Sequence, residues 1–431
     1  MPTRSSLVFL CTLALLVIGV VMVNSAGMTV TPVPDGVAGL EAVVPDATLD
    51  TMSIVSSRSS ILLAASMAAF GVCAVLPVRR IAVGITPPAH APSGYLYAAL
   101  AAGTLLFMGL IALVYLPGIQ REINASKRWI SLPVVGSLQP SELAKWGMIP
   151  LIAWYASAMR DRLRSFSFGL FPAVVAIALV SGFIVLEDLG TGVLVASALC
   201  LLLIAAGARI WQFLIFAVPA GVGVFLAIST SSYRVQRIMS FLDPYADPGN
   251  TGYQMIQSMS TVASGGVAGR GLGHGIQKFG YLPEDTTDFL FAVICEETGI
   301  AGAAAVVGLY LLLAWTLVGI IRDQTVPLLR FFVVGVLATV MIQAMINLVV
   351  VTGMGPTKGI ALPLLSSGGT GWVLTAATLG VVCAIDRAGR TAPAEAGSAL
   401  STAIEAKPAK RKKSRKTDEL DPIAPTTTAA A

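Results

Sequence analysis

The chain has 431 residues, of which 55% are hydrophobic and 12% are charged, and its formal net charge is +5. A mean hydropathy of +0.81 excludes an ordinary soluble enzyme, because a water-exposed surface needs about twice this share of charged residues. A closed β-barrel is disfavoured too, since barrel strands are about 10 residues long and alternate in polarity.

Apolar runs long enough to cross a membrane recur along the chain. About 18 mostly apolar residues cover a ~30 Å hydrocarbon core, so we predict an all-α integral membrane protein with about ten transmembrane helices. For the first span a cleaved signal peptide is the alternative, because small residues follow it in "VMVNSAG". The predicted spans are 7–24, 60–78, 95–116, 143–159, 168–186, 190–207, 211–230, 298–321, 329–352 and 371–386.

These spans predict one polytopic membrane domain over 1–388, with a long outer loop at 231–297 between helices 7 and 8. The remaining segment, 389–431, is rich in Ala, Pro, Thr and Lys, which predicts a disordered basic tail near anionic lipid, with a specific binding site as the alternative. Because Lys and Arg favour cytoplasmic loops, alternation of the helices places both termini in the cytoplasm. No nucleic-acid-binding fold accompanies the basic run, so no nucleic-acid partner is expected.

Cysteine and histidine give no sign of a metal site. The five cysteines lie in or beside apolar runs, and we interpret them as small hydrophobic residues of helices. His90 and His274 are far apart in the sequence. The glycine-rich stretch 261–275 would let backbone amides approach a ligand, with a flexible loop as the alternative. It lacks Walker spacing, and no organic cofactor is expected.

Several cations fall on the side that this topology places outside the cell, against the usual bias. Grouped at the outer face, they would suit a substrate that carries phosphate. Ordinary loop charge is the alternative. These residues are Arg121, Lys127, Arg128, Arg234, Arg237, Arg270, Lys278 and Lys358.

Motifs in several parts of the chain occur in the order known from one family. They include "NASKRWISLPVVGSLQPSELAK" at 124–145, "GLGHGIQKFGYLPEDTTDFLFAVICEETG" at 271–299 and "INLVVVTGMGPTKGIALPLLSSGGTG" at 346–371, with further matches at 19–26, 186–192 and 237–266. In these motifs the chain resembles the SEDS family (shape, elongation, division and sporulation), of the FtsW/RodA/SpoVE type. The resemblance runs over about residues 7–388.

The resemblance implies a retained first helix, re-entrant segments and a peptidoglycan glycosyltransferase of the bacterial cytoplasmic membrane. Such enzymes polymerise lipid II, a disaccharide-pentapeptide on undecaprenyl pyrophosphate, and release undecaprenyl pyrophosphate, in cell division or cell-shape maintenance. The stretch "IQKFGYLPE" is more similar to the division branch, represented by FtsW. The implied partners are a class B penicillin-binding protein transpeptidase and other divisome or elongasome membrane proteins.

Two other classes of function remain open at this point. A lipid-linked precursor flippase or another transporter also needs many apolar helices and a polar cavity, although no clear inverted repeat is present. A non-catalytic division scaffold would need neither a base nor a substrate cavity. The scaffold hypothesis predicts that Asp288 is dispensable.

Asp288, in "TTDF", matches the family's essential aspartate and is the predicted catalytic residue. A carboxylate there would act as general base or as a ligand of the substrate hydroxyl. The ordinary Asp pKa of about 3.9 makes it a weak base, so a drier site would help. The resemblance also suggests a divalent cation, Mg²⁺ or Mn²⁺, on the pyrophosphate, with unknown ligands.

The predicted substrate-binding residues surround this aspartate. Arg234, Arg237, Lys278, Lys127 and Arg128 are candidates for phosphate or sugar contacts, with anchoring at the membrane interface as the alternative. Trp129 would stack on sugar or anchor at the membrane interface. Glu142 and Lys145 share a helix face and would line the cavity or form an intramembrane ion pair. Lys358 and Ser366 would face the cavity or belong to a structural re-entrant loop.

The chain departs from the family pattern at several motif positions. The family usually has His at Thr286, Gly at Ala125, Gln-Pro at Leu186 and Glu187, and Ser-Tyr-Gly-Gly at 366–369. Asp285 adds a carboxylate, whose like charge is expected to raise the pKa of Asp288. We interpret the chain as an active, divergent member, with a non-polymerising paralogue as the alternative.

Overall fold

The computed structural model describes residues 3–27, 51–87, 92–116, 120–123, 126–132, 136–278, 281–367 and 369–405. Helices dominate these residues, which confirms the predicted all-α membrane class. In chain order the helices are α1 Arg4–Ala26, α2 Thr51–Val55, α3 Arg58–Ala74, α4 Val78–Ile85, α5 Ser93–Ala112, α6 Pro140–Ala158, α7 Phe171–Glu187, α8 Leu189–Ala205, α9 Ile210–Ser229, α10 Ser232–Leu242, α11 Tyr253–Ser264, α12 Leu290–Asp323, α13 Pro327–Val351 and α14 Thr370–Glu405.

The predicted membrane spans correspond to helices of this set. Within the described residues, 7 helices are long and apolar enough to cross a membrane, or 8 if the bent pair α3 and α4 counts as one span. Two further helices complete the predicted spans: α6, which carries Glu142 and Lys145, and the 17-residue α8. The chain is therefore a multi-pass membrane protein.

Two predicted spans differ in detail from the observed helices. The span predicted at 60–78 is broken, because α3 and α4 meet at an angle of 63° next to Pro77, whose ring does not continue a helix. The span predicted from 298 starts earlier, at Leu290, and has a non-helical residue at Gly299. The predicted loop 231–297 is correspondingly shorter, and it contains α10 and α11.

Local sequence signals explain where several helices begin. Thr3 accepts a hydrogen bond from the Ser6 amide at the start of α1, and Asp188 accepts one from the Thr191 amide at the start of α8. Such N-caps satisfy amides that the first helical turn leaves unpaired. Proline in the first turn of α6, α7 and α13 is well tolerated, because those positions need no amide donor.

A small antiparallel sheet, which the sequence did not predict, lies between α5 and α6. Its strands are β1 Gln120–Ile123, β2 Ser126–Leu132 and β3 Gly136–Leu138, in the order β1-β2-β3. Trp129 pairs with Arg121 across β1 and β2. Ile130 is buried, so the central strand is anchored to the helical bundle.

The core lies among α1, α6, α7, α8, α12, α13 and α14, whose buried residues form one continuous hydrophobic cluster. In contrast, Gln212 is the one buried residue of α9. Exposed apolar side chains of α9, such as Leu214, Val218 and Phe225, are suited to contact with lipid. In contrast to α9, helix α1 packs extensively against α12.

The glycine-rich stretch packs against the first half of α12. A Cβ on Gly269 would lie 2.3 Å from the Glu297 carbonyl oxygen, and one on Gly299 would lie 2.4 Å from the Gly269 nitrogen. The Gly273 and Ile276 amides donate to the carboxylates of Glu297 and Glu296. Backbone amides in and beside the glycine-rich stretch, which we expected to bind a ligand, therefore donate to carboxylates of the protein itself.

The segment between α13 and α14, for which the resemblance implied a re-entrant course, packs against the helical bundle, and we call it the re-entrant segment. A Cβ on Gly19, within α1, would lie 2.7 Å from the Leu365 carbonyl oxygen, so this segment passes directly against α1. The Tyr310 hydroxyl, within α12, donates to the Pro363 carbonyl. Leu364 has a φ of 64°, which is uncommon for a residue with a Cβ and indicates a tightly constrained turn.

The chain divides into two compact units, Met1–Ala388 and Gly389–Ala431. In the second unit, helix α14 extends to Glu405. Residues 406–431, which include most of the predicted disordered tail, lie outside the described residues. The disorder of the tail stays a prediction.

Candidate active site

A cavity of about 1170 Å³ opens between the loops and helix ends at one end of the bundle. It is bordered by the segment that precedes α12, the re-entrant segment, α10 and the first turns of α6 and α8. Of the predicted site residues, those that line it are Trp129, Glu142, Lys145, Arg234, Arg237, Asp288, Lys358 and Ser366.

Asp288 is held at the cavity by its neighbours on both sides in the sequence. Leu282 and Phe289 are buried, each with 2% of its surface exposed, and they anchor the loop between them. The Phe289 amide donates to the Glu284 carbonyl, which closes the loop. With both ends anchored, Asp288 lines the cavity one residue before the N-cap of α12.

Asp285 lies in the same loop but is not among the described residues that line the cavity. Burial raises the pKa of Asp285 from 3.8 to about 6, with a further rise from Glu284 and opposing effects from backbone hydrogen bonds and Lys278. The ionised carboxylate therefore carries a desolvation cost in the folded protein.

We expect Asp285→Asn to raise the melting temperature more at pH 8 than at pH 5. Above pH 6 the wild-type carboxylate is ionised when folded, so its full desolvation cost is present; that cost declines as the pH falls through about 6 and is absent below 3.8. Melting curves of both proteins in the same detergent, from pH 5 to pH 8, measure the difference. An equal difference at every pH would contradict the expectation. Asp243→Asn, at an exposed cap, is the control.

Glu142 and Lys145 form an ion pair near the start of α6. The Lys145 Nζ lies 2.7 Å from Glu142 Oε2, and the two side chains are 2% and 15% exposed. The same ammonium donates to Gln343 Oε1 at 2.9 Å. The two residues therefore form an ion pair and also line the cavity, while their contact with substrate stays a prediction.

Another wall of the cavity carries three cations. Arg234 donates to the carbonyls of Val185 and Leu186, at 2.9 and 3.0 Å. Arg237 donates to the Thr357 carbonyl at 2.9 Å. Lys358 lies close enough to both guanidinium groups for their charges to act on it.

These arginines are fixed by backbone carbonyls rather than by carboxylates. A guanidinium has five N–H donors, and the hydrogen bond from Arg237 to the Thr357 carbonyl uses only one of them. A carbonyl is neutral, so this contact does not neutralise the positive charge of Arg237. The Arg237 guanidinium also lies 4.6 Å from the centre of the Tyr233 ring, a cation–π distance. Asp188 acts electrostatically on Lys358. This wall therefore gathers three positive charges, with the Asp188 carboxylate beside Lys358.

Of the predicted residues Ser366, Lys127 and Arg128, only Ser366 has a described side chain. Ser366 is 1% exposed, and its Oγ accepts a hydrogen bond from the Leu362 amide, so it shapes the re-entrant turn at the cavity. Lys127 and Arg128 lie in β2, and their side chains lie outside the described part of the chain. Their predicted contacts with substrate stay predictions.

Lys278 does not line the cavity, and its predicted substrate contact needs correction. Its Nζ lies 2.8 Å from Glu297 Oε1, with both side chains fully buried, and it donates to Ser25 Oγ at 3.0 Å. The ammonium thus joins the end of α1 to α12. A substrate phosphate would have to displace a buried carboxylate to reach it.

The sequence prediction omitted Gln343 and Asn347, which hold the cavity walls together. Asn347 Nδ2 donates to the Asp288 carbonyl at 2.7 Å and to the Ile360 carbonyl at 2.8 Å. Gln343 Nε2 donates to the Ala361 carbonyl at 2.8 Å. An amide side chain inside an apolar helix indicates a polar site in the bundle interior, and this pattern could have identified both residues from the sequence.

Within the described residues, no group of three or more His, Cys, Asp and Glu could hold a metal ion. The carboxylates that line the cavity, such as Glu142 and Asp288, come from different walls. The divalent cation suggested by the resemblance therefore stays a prediction.

Comparison with known proteins identifies similar sequences. The model of a family described as cell cycle protein, comprising FtsW, RodA and SpoVE, matches residues 95–391. A probable peptidoglycan glycosyltransferase FtsW of Nitrosococcus halophilus (strain Nc4) is 38% identical over 287 residues, which cover 65% of this chain and 73% of the relative. Stage V sporulation protein E of Bacillus subtilis (strain 168) is 37% identical over 284 residues, covering 65% and 77%.

Solved structures share the fold. One, described as "Structural coordination of polymerization and crosslinking by a peptidoglycan synthase complex", aligns with a TM-score of 0.63 and 24% identity, covering 89% of this chain and 97% of that one. The crystal structure of the rod shape determining protein RodA of Thermus thermophilus aligns with a TM-score of 0.54 and 23% identity, covering 88% and 95%.

Proposed function

Because the chain belongs to the FtsW/RodA/SpoVE family of cell cycle proteins, we propose that it is a peptidoglycan glycosyltransferase that polymerises lipid II and releases undecaprenyl pyrophosphate. Relatives that carry this enzyme name are 36–38% identical to it. One observation carries the mechanism: Asp288 and the cations Arg237 and Lys358 line the same cavity.

The reaction forms one bond and breaks another at the anomeric carbon of the donor sugar. The acceptor hydroxyl oxygen attacks that carbon, the bond to the pyrophosphate oxygen breaks, and the hydroxyl proton must leave. The Asp288 carboxylate accepts this proton or orients the hydroxyl as it is lost. The bond electrons depart with the pyrophosphate, whose charge grows.

Arg234, Arg237 and Lys358 stabilise the growing negative charge. Their positions are set before substrate arrives, since backbone carbonyls hold both guanidinium groups. Preorganised charges need no rearrangement at the moment of reaction and therefore favour the transition state. A divalent cation, Mg²⁺ or Mn²⁺, belongs to the same proposal. When bound, it would neutralise pyrophosphate charge, with Asp288 or Glu142 as protein ligands.

The membrane orientation is also part of the proposal. The Ser5 amide at the start of α1 donates to Asp386 of α14, so these two residues lie at the same end of the bundle. That end carries Arg4, Arg322 and Arg387, and the distribution of Lys and Arg favours the cytoplasm there. The catalytic cavity then opens outside the cytoplasmic membrane, where lipid II is polymerised.

A transpeptidase partner completes the proposed role. The chain belongs to a family with structural relatives in a peptidoglycan synthase complex that joins polymerization to crosslinking. We propose a class B penicillin-binding protein as this chain's partner, together with other division or elongation membrane proteins. A role in division is favoured over elongation, because curated relatives of 35–38% identity are named FtsW.

Polymerisation of purified lipid II tests the function. The protein is purified in detergent with its candidate transpeptidase and given lipid II with Mg²⁺ or Mn²⁺, and glycan length is read on a gel. We expect long glycan strands and release of undecaprenyl pyrophosphate. If the complex is folded and makes no polymer with either metal, the glycosyltransferase proposal fails. A parallel assay of lipid II movement across liposomes then tests the transporter alternative.

A further inference from the structure

Helix α13 places two amide side chains one turn apart inside an apolar core. Gln343 and Asn347 are 9% and 2% exposed, and the spacing of four residues puts them on one face. The neighbouring buried residues of the helix, Val340, Ala344 and Val351, are apolar. A buried amide in such surroundings is costly unless its hydrogen bonds are made.

The Asn347 Nδ2 group donates to the backbone of both reactive segments, whereas its buried Oδ1 has no hydrogen-bond partner among the described residues. One amide group donates to the Asp288 carbonyl and to the Ile360 carbonyl, at 2.7 and 2.8 Å. The orientation of the amide follows from these partners, because a carbonyl oxygen in its place would face two other carbonyl oxygens. A single side chain thus ties the Asp288 loop to the segment that carries Lys358.

Gln343 makes the equivalent link one turn away. It accepts from Lys145 Nζ at 2.9 Å and donates to the Ala361 carbonyl at 2.8 Å. The Ser367 amide adds a direct contact between the two loops, since it donates to the Thr286 carbonyl at 2.9 Å. Helix α13 is therefore a common support for the three walls that carry Asp288, Lys145 and Lys358.

We propose that Asn347 is a positioning residue for glycosyl transfer, which rests on the proposed function. It holds the Asp288 backbone at a fixed place relative to the cationic wall, and so sets where the carboxylate meets the acceptor hydroxyl. Asn347 does not line the cavity within the described residues, so it acts through Asp288. Small displacements of a reacting group lower the rate by about a hundredfold.

The test compares Asn347→Leu, which keeps the branching of the side chain and removes both N–H donors, with Thr339→Val. Thr339 is 1% exposed on the same helix, two turns before Asn347, and serves as the matched control. Initial rates of lipid II polymerisation are measured on monodisperse protein over a range of lipid II concentrations. We expect kcat to fall by about 10- to 100-fold for Asn347→Leu, with KM nearly unchanged and with wild-type kinetics for Thr339→Val.

Hydrogen–deuterium exchange provides a readout that does not depend on activity. The amides of 281–289 should exchange faster in Asn347→Leu, while those of α13 stay protected. If Asn347→Leu is not monodisperse, Asn347→Asp has the same shape without the amide donors and replaces it. Wild-type kcat and wild-type exchange in the variant would overturn the proposal, as would equal changes in Thr339→Val. A wild-type protein that makes no polymer would instead refute the proposed function, and exchange would still decide the positioning.

Discussion

Asp288→Asn should abolish most of the polymerisation of lipid II while the protein stays folded. The substitution keeps the shape of the side chain and its loop anchors, Leu282 and Phe289, but removes the carboxylate that accepts the proton. Loss of a general base lowers rates by about 10²- to 10⁴-fold. The glycan product on a gel should fall to a trace, and the melting temperature should stay close to that of the wild type.

The control for this substitution is Asp243→Asn. Asp243 is exposed, does not line the cavity, and caps a short helical turn by accepting from the Tyr245 amide at 3.1 Å, a role that Asn also fills. It should polymerise at the wild-type rate. Equal polymer from wild type and Asp288→Asn would remove Asp288 from the chemistry, and Glu142, which also lines the cavity, would then be the next carboxylate to replace.

Lys278→Met should destabilise the protein strongly without touching the cavity. It leaves the Glu297 carboxylate buried, with Ser25 and glycine-loop amides as its remaining described partners. Removing one member of a buried ion pair costs about 3–5 kcal/mol, because the other charge stays desolvated. Thermal unfolding in detergent should show a melting temperature lower by several degrees.

The double variant Lys278→Met with Glu297→Gln distinguishes the loss of the ion pair from the cost of leaving the Glu297 carboxylate buried and charged. It removes both charges, so it should be less destabilised than Lys278→Met alone. Asp323→Asn is the matched control, since it breaks the exposed pair with Arg4, whose side chains are 39% and 67% exposed, and should change stability by less than about 1 kcal/mol. A wild-type melting temperature for Lys278→Met would contradict the structural role of this pair.

The ordered motifs predicted much of the candidate site. Asp288, Arg237 and Lys358 were proposed from motif positions and unusual charge, and the structure gathers all three around one cavity. The reason is that an ionisable group in an apolar chain is costly, so its presence already points to a polar cavity or a partner. Sequence position alone does not distinguish between those two outcomes.

Lys278 shows where that limit lies. It has the same charge as Lys358 and lies in an equally glycine-rich neighbourhood, yet its ammonium is paired with Glu297. The partner is 19 residues away in sequence, and Ser25 is 253 residues away. Only the packing of α1 against α12 brings these groups together. Asn347 is the opposite case, an uncharged residue whose importance comes from two carbonyls on other segments.

The sequence by itself determined the membrane class, the positions of the spans and the family resemblance. These depend on local properties, namely apolar length and the order of short motifs, which any stretch of the chain carries without its neighbours. The tertiary structure alone decided which polar groups face the cavity and which face each other. That choice depends on distances between segments far apart in sequence, such as the Asp288 loop, α13 and the re-entrant segment, and those distances exist only once the helices are packed.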